Sequence, residues 1–313
     1  DTADTVPERG GGVTDTSEPK RVTVSVNGRS LSLSNLDKPL YADGTTKGDV
    51  IAYYSSVAPV LLPHIAGRPL TLRRWPNGTA EPGFFEKNVA RTAPGWVHQV
   101  ELPVPGSTKN RATIRFVTID DLSGLVWVAN LAGIELHVPQ WRLDPDDRPA
   151  NPDRLVVDLD PGPPADVTTC CRVALLAHDV LADIGLRTRA STSGSKGLQL
   201  YATLDGSLSW ADTRRLAQQL AEKLEREHGG LVLSSMDTKA RRGKVFVDWS
   251  QNHGGKTTIS PYSLRGRPTP SVATPLTWDE VADGASASSP ESLRFTPHDV
   301  VARVDGQGDL LTA

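Results

Sequence analysis

The stretch Leu155-Val156-Val157-Asp158-Leu159-Asp160-Pro161-Gly162 constrains this chain more than any other. A short apolar run closed by Pro and Gly reads as a strand. Side chains alternate on a strand, so Leu155, Val157 and Leu159 share one face and Val156, Asp158 and Asp160 the other. The first face demands a core. The second sets two carboxylates side by side, where they repel and raise one another's pKa. A divalent cation removes that conflict, and hard oxygen donors suit magnesium or manganese. Pro161-Gly162-Pro163-Pro164 ends the strand at once, which places the pair near a rim. Two solvated aspartates at a strand end have the same pattern, and D-x-D also occurs in sugar-nucleotide transferases, so the pair alone names no function.

Lys244-Val245-Phe246-Val247-Asp248-Trp249 is a second apolar strand interrupted by an acid. Asp248 lies opposite Val245, Val247 and Trp249, where it either caps a turn or adds a third carboxylate. Three carboxylates can hold two cations about 3.5–4 Å apart, the arrangement that activates a 3′-hydroxyl and stabilises leaving pyrophosphate.

Other polar features are individually ambiguous. Ser191-Thr192-Ser193-Gly194-Ser195-Lys196-Gly197 is either an ordinary turn or a cradle of N–H groups and hydroxyls for a triphosphate, with Lys196 as the point charge. A strand follows it and G-x-x-x-x-G-K-[ST] is missing, so it is not a Walker A loop. Phe84-Phe85, after Pro82-Gly83, either anchors its loop or stacks on a base. His137, facing away from Leu136 and Val138, either contacts a phosphate or is a satisfied core histidine. Arg265 and Arg241 are candidates for phosphate contact against a default of solvated surface.

Composition sets outer limits. The 313 residues are 38% hydrophobic and 23% charged, enough for one large domain or two modest ones. No run of 18 apolar residues appears, so no membrane span is expected. The net charge of −3 hides an uneven distribution: residues 1–20 carry five acids and two bases, which accounts for all of it. Lys239 to Arg267 holds seven basic residues against Asp248 alone, an excess suited to phosphates. The two cysteines, Cys170 and Cys171, are adjacent and read as small apolar residues on a helix, which fits a reducing cytoplasm.

Residues 1–20, polar and Gly-rich, read as a disordered acidic tail or linker without a signal peptide's basic-then-apolar order. Residues 21–313 read as the folded domain. Arg21–Val26 alternates as a strand, with Asn27-Gly28 as a hairpin turn. Helices are expected from Thr46 to Leu62, stopped at or near Pro63, from Asp166 to Gly185, from Trp210 to His228 and from Thr296 to Arg303. Thr269 to Pro290, rich in Pro, Ser and Ala, is expected to wrap the surface. The pattern is mixed α/β (α+β), with sheets covered by helices.

Together, in order, these motifs resemble one family. They are Asn35-Leu36-Asp37-Lys38, Thr45-Thr46-Lys47, His64-Ile65-Ala66-Gly67-Arg68-Pro69, Arg74-Trp75-Pro76-Asn77-Gly78, Phe84-Phe85-Glu86-Lys87 and His137-Val138-Pro139-Gln140-Trp141. The series continues with Asp158-Leu159-Asp160-Pro161-Gly162, Thr192 to Gly197, Lys244 to Asn252 and Pro261 to Arg267. From about Leu33 to Leu311 the chain resembles the polymerase domain of bacterial ligase D and its stand-alone relatives, in the archaeo-eukaryotic primase superfamily.

The resemblance implies a primase-type core of two packed β-sheets flanked by helices. It implies that Asp158, Asp160 and Asp248 bind two Mn2+ (or Mg2+) ions. His137, Ser193, Lys196 and Arg265 match residues holding the triphosphate and sugar of an NTP or dNTP, with Arg74 and Gln251 near primer and nucleotide. Asn35, Lys38 and Lys47 match a pocket for the DNA 5′-phosphate beyond a break or gap, and Phe84 and Phe85 match aromatics that stack where the template turns. The implied activity is template-dependent extension of primer 3′ ends at gaps and broken ends, with ribonucleotides and manganese favoured. Ku and a DNA ligase are the implied partners, and a nucleoid-associated cytoplasmic setting follows. The acidic tail and residues 103–113 match no motif, and this latter loop is a place where template binding can differ. The cysteine count excludes a zinc knuckle, and no K-x-D-G ligase motif appears. Two alternatives stand beside this reading: a non-catalytic 5′-phosphate-binding module that recruits a ligase, and a D-x-D glycosyltransferase, which leaves Lys38, Lys47 and the Phe pair without a role.

Overall fold

The computed structural model describes residues 20–89, 93–104 and 112–312. The acidic tail, apart from Lys20, and residues 105–111 of the unmatched loop lie outside them.

Local chemistry explains the first elements. Asn27 and Gly28 take positive φ of 47° and 73°, the pair a two-residue hairpin needs, and join β1 (Arg21–Val26) to β2 (Arg29–Ser34). Thr46 caps α1 (Lys47–Ile65) in a capping box with Asp49. Val50, Tyr53, Tyr54, Val57 and Leu61 form its buried side, as their spacing predicts. The helix does not stop at Pro63: burial of Ile65 and a 2.8 Å contact from His64 Nε2 to Asp309 hold a further half-turn.

Next come β3 (Thr71–Arg74), β4 (Phe84–Glu86), β5 (Gln99–Pro103), β6 (Thr113–Val117) and α2 (Leu122–Asn130). They are followed by β7 (Gly133–Val138), β8 (Trp141–Leu143), β9 (Pro149–Pro152) and β10 (Arg154–Pro161). The chain continues through α3 (Val167–Asp183), β11 (Thr188–Thr192), β12 (Leu198–Thr203), α4 (Trp210–His228), β13 (Val232–Leu233) and β14 (Val245–Val247). It closes with β15 (Thr258–Ile259), β16 (Leu264–Arg265), β17 (Ser271–Val272), β18 (Pro275–Leu276), α5 (Trp278–Ser286) and α6 (Pro297–Gln307). The side chains of Asp166, Ser209 and Thr296 cap α3, α4 and α6.

Two sheets organise these elements, as the sequence and its resemblance lead one to expect. One has the order β13-β14-β10-β12-β11-β18, the other β15-β7-β3-β4. The six-stranded sheet presses Leu155, Val157, Leu159, Val245 and Val247 against α3, α4 and α5 in one core, which includes Cys170 and Cys171. The four-stranded sheet, α1, α2 and the first hairpin share a second core. Between the sheets the contacts are polar: Arg154 Nε donates to Gln140, and the Tyr201 hydroxyl lies 3.3 Å from the Ile259 carbonyl.

The segment from Thr269 to Pro290 is not a surface wrap. Val272, Ala273, Thr274 and Leu276 are buried, and a helix follows. Pro275 is tolerated because β18 is an edge strand, where a missing N–H costs little.

Candidate active site

Asp158 lies on β10, in the interior of the six-stranded sheet and on the face opposite its helix-covered core. Its register partner on β12 is Gln199, whose Nε2 donates to Asp158 Oδ1 at 3.0 Å. On the other side the β10–β14 register, Leu159 to Val247 and Asp160 to Phe246, brings Asp248 opposite Asp158. The Asp248 N–H donates to the Asp158 carbonyl at 2.8 Å. Burial, then the charges of Asp160 and Asp248, push the Asp158 carboxyl up to about 7 against the Gln199 hydrogen bond.

Asp248 both caps a turn and joins the group. Its Oδ1 accepts from the Ser250 N–H at 3.1 Å, and its Oδ2 accepts from Gln251 Nε2 at 2.8 Å. The Ser250 hydroxyl also bonds Asp248 and is itself held by Lys256. Gln251, expected near primer and nucleotide, is thus seated on Asp248. Among the described residues no three His, Cys, Asp or Glu side chains form a ready-made cage for an ion. The donor chemistry nevertheless fits a divalent cation, since the charge that drives Asp158 toward protonation is what a cation would relieve.

The Ser193–Gly197 loop approaches from the end of β11. Ser193 N–H donates to the Gly197 carbonyl at 2.9 Å, and its hydroxyl accepts from Gly197 N–H at 3.1 Å. A Cβ at Gly194 or Gly197 would strike neighbouring backbone, so the loop is packed rather than open. Lys196 Nζ stands 3.9 Å from Asp160 Oδ1, with the lysine side chain 60% exposed. It is therefore free to turn to an anion. A cavity of about 230 Å3 borders the loop, lined also by Pro161, Val167, Arg267, Arg294 and Phe295. It flanks the carboxylates and does not contain them.

Glu135 organises the other wall. Its buried carboxylate accepts from the Gly266 N–H at 3.1 Å, contacts His137 Nε2 at 2.9 Å and lies 3.5 Å from Arg265 Nε and 3.8 Å from Arg73 Nη1. Burial works to raise its pKa, but the His137 hydrogen bond and the charge of Arg265 prevail and hold it low. Burial lowers the His137 pKa against the pull of Glu135. One carboxylate thus faces two guanidinium groups, and the Nε atoms of Arg73 and Arg265 are buried with no hydrogen-bond partner among the described residues. That surplus of donors and charge fits an anion. Arg241 Nε is likewise unpartnered, with its guanidinium 3.9 Å from the Phe246 ring centroid.

Phe84 and Phe85 occupy the edge strand β4 and are 47% and 56% exposed, so neither is a core anchor. Arg74 lies 5.5 Å from the Phe84 ring and pairs with Glu86, and its Nε donates to the Leu131 carbonyl at 2.8 Å. Trp75 lies between the backbones of Gly83 and Gly266: a Cβ on either glycine would overlap its ring. The aromatic strand and the Arg265 segment are thereby clamped together.

Asn35, Lys38 and Lys47 gather at the N-terminal end of α1. Asn35 has φ 53°, and the Lys47 N–H donates to the Lys38 carbonyl at 2.9 Å. Lys38 Nζ reaches Asn77 at 3.5 Å, while buried Lys47 Nζ donates to Ser34 Oγ and the Asn130 carbonyl at 3.1 and 3.2 Å. Burial, then Lys38 and Arg21, lower the Lys47 pKa.

Sequence reading missed Glu135, Gln199 and Trp75. A signal existed for the first two: each is a polar residue in an apolar strand, on the face shared with His137 or opposed to Asp158.

Two sheets meeting through a polar layer, with carboxylates on one and cationic groups on the other, define a primase-type polymerase core. The chain belongs to the ligase D primase-polymerase family: a family model described as "LigD, primase-polymerase domain" matches residues 46–311. It is 47% identical over 294 residues to the multifunctional non-homologous end joining DNA repair protein LigD of Mycobacterium tuberculosis, covering 92% of this chain and 37% of that protein. To the bifunctional LigD of Bacillus subtilis it is 32% identical over 280 residues, 89% of this chain and 43% of that one. The chain thus spans less than half the length of these relatives. Among solved structures, the polymerase domain of Mycobacterium tuberculosis ligase D in complex with DNA matches with a TM-score of 0.83 and 46% identity, over 90% of this chain and 96% of that one.

Proposed function

We propose that residues 21–313 form one primase-polymerase domain that extends primer 3′ ends against a template at gaps and broken ends, with ribonucleotides preferred. The observation that carries this reading is the pairing of Asp158 and Asp248 across β10 and β14, with Asp160 beside them and Lys196 in reach. Family membership implies dependence on a divalent metal. Asp158, Asp160 and Asp248 are the residues that would hold two such ions, Mn2+ or Mg2+. Bound there, they would supply charge neutralisation and a lowered pKa for the attacking hydroxyl.

The remaining steps belong to the chain. Lys196 and Arg265 neutralise the triphosphate and His137 helps to orient it, with Ser193 shaping the loop and Arg241 at the rim. The primer 3′-hydroxyl attacks the α-phosphate in line; the new P–O bond forms as the bond to pyrophosphate breaks. Arg74 and Gln251 act through Glu86 and Asp248, at the border of primer and nucleotide. Phe84 and Phe85 offer two ring faces to template bases. Asn35, Lys38 and Lys47 take the downstream 5′-phosphate. Such a domain would serve end joining or gap repair with Ku and a DNA ligase, at the nucleoid.

The test is primer extension on a gapped duplex with a 5′-phosphate, comparing manganese with no metal and ribo- with deoxyribonucleotides. Templated, metal-dependent addition is expected, faster with ribonucleotides. Phosphate-dependent gap binding without addition would leave a non-catalytic end-binding module instead.

A further inference from the structure

The face of the six-stranded sheet that carries Asp158 also carries a connected row of buried polar groups. Gln199, Tyr201 and Arg154 are each less than a tenth exposed. The register sets Asp158 beside Gln199, Val156 beside Tyr201 and Arg154 beside Thr203, so the row runs diagonally across β10 and β12 on one face. Gln199 Nε2 donates to Asp158 Oδ1 at 3.0 Å, and the Tyr201 hydroxyl donates to Gln199 Oε1 at 2.7 Å. The Arg154 guanidinium lies 5.1 Å from the Tyr201 ring, and its Nε donates to Gln140, which donates in turn to Thr258 Oγ1 at 2.8 Å.

We infer that Gln199 is a positioning residue that presets the Asp158 carboxylate for a divalent cation, with Tyr201 fixing which way the Gln199 amide points. The inference rests on the metal-dependent reading proposed above. An amide can flip, and only one orientation aims its NH2 at a carboxylate. The single Tyr201 proton goes to Oε1 at 2.7 Å in preference to the Ile259 carbonyl at 3.3 Å, and the flipped amide would then set a carbonyl against Asp158 and an NH2 against a donating hydroxyl. Tyr201 thus decides the amide's direction.

The donor's chemistry also matters. Gln199 is neutral, so it fixes Oδ1 without cancelling the negative charge a cation needs. An arginine or lysine there would compete with the cation. The Gln199 bond engages Oδ1 alone, and a buried carboxylate that need not reorganise binds an ion at lower cost.

The experiment measures Mn2+ binding to the full chain without DNA or nucleotide, by the loss of the free-ion EPR signal. Gln199→Leu removes the donor at similar volume, and Tyr201→Phe removes one hydroxyl from a buried ring. Partners of this kind change metal affinity by about 10–100-fold. Gln199→Leu is expected to weaken Mn2+ binding by about 10-fold and Tyr201→Phe by a smaller factor, with kcat largely recovered at saturating Mn2+. A merely structural role would lower the Tm and the active fraction but leave the Mn2+ requirement unchanged. Wild-type Mn2+ affinity in both variants overturns the positioning role alone. Mn2+ binding that is absent from the unaltered chain, or that survives Asp158→Ala, overturns the metal-site reading and this inference with it.

Discussion

Asp248 donates its backbone N–H to the Asp158 carbonyl at 2.8 Å, so two carboxylates leave neighbouring strands at opposed positions on one face. Opposed residues on antiparallel strands have Cβ atoms about 4.5–5.5 Å apart, and like charges there destabilise the sheet. A protein that keeps this arrangement gains something else from it. Replacing Asp158 or Asp160 by Ala should lower nucleotide incorporation by at least about 100-fold, the loss seen when one preorganised charge-stabilising group is removed. Binding to gapped DNA should be nearly unchanged, since phosphate contacts elsewhere position the duplex. A filter-binding assay beside single-turnover extension separates the two. Robust extension by the double variant would remove the assignment.

Burial of Asp158, and then the same crowding, predict how stability depends on pH. In the metal-free protein Asp158 is raised from 3.8 to about 7. The folded state therefore binds a proton that the unfolded state has lost, and stability falls as pH rises from about 4 to about 7. The thermal midpoint of metal-free protein should drop across that window, and Asp158→Asn should flatten this part of the profile. Added Mn2+ should stabilise more at pH 8 than at pH 5. Equal Mn2+ stabilisation at both pH values would show that Asp158 is not the group being relieved.

Trp75 supplies a different kind of test. Its ring fills the space between Gly83 and Gly266, so Gly266→Ala must move either the ring or the Arg265 segment. Overpacking of this kind typically costs about 1–3 kcal/mol. Because Arg265 is one residue away, the nucleotide KM should rise more than kcat falls. Loss of stability with an unchanged KM would confine Trp75 to a packing role.

How much of this was legible in the sequence depends on range. Asp248 joins Asp158 and Asp160 through the β10–β14 register, which alternation alone does not set, whereas Asp158 and Asp160 share a face because alternation along β10 is local. The starts of α1, α3, α4 and α6 were legible for the same reason: Thr46, Asp166, Ser209 and Thr296 cap within three residues of themselves. Glu135 was not legible as a hub, because Gly266 and Arg265 reach it from a distant part of the chain. Nor was the Trp75 clamp, which joins three segments. The Thr269–Pro290 stretch misled because composition reports average exposure, whereas an edge position absorbs Pro275 and a capping box at Thr277 restarts a helix.

Phe84 and Phe85 are exposed on an edge strand, so their loss should barely change the thermal midpoint. Stacking is worth about 1–3 kcal/mol per base, so the double Ala variant should bind gapped template about 10-fold or more weakly. A fluorescence titration with a single-stranded template gap measures this. Equal affinity would return the pair to a role outside template binding.

The Lys38–Lys47 site gives the sharpest discrimination, because its ligand is a single group that can be added or removed from DNA. Lys47 is buried, donates only to neutral oxygens in its recorded hydrogen bonds, and has its pKa lowered by burial and by Lys38 and Arg21. Among the described residues no acid pairs with this cation, and a phosphate between Lys38 and Lys47 would reverse the repulsion. A charge-assisted hydrogen bond contributes about 1.5–3 kcal/mol, so the chain should bind a 5′-phosphorylated gap about 10–100-fold more tightly than the 5′-hydroxyl gap. Lys47→Met should erase most of that preference while leaving the hydroxyl gap's affinity intact, and Lys38→Met should act in the same direction. Removing a buried charge of this kind costs the fold little, so the Lys47→Met thermal midpoint should hold or rise. If the double variant still prefers the phosphorylated gap, the 5′-phosphate is read elsewhere, and Arg241 and the basic run from Lys239 to Lys244 become the surface to examine.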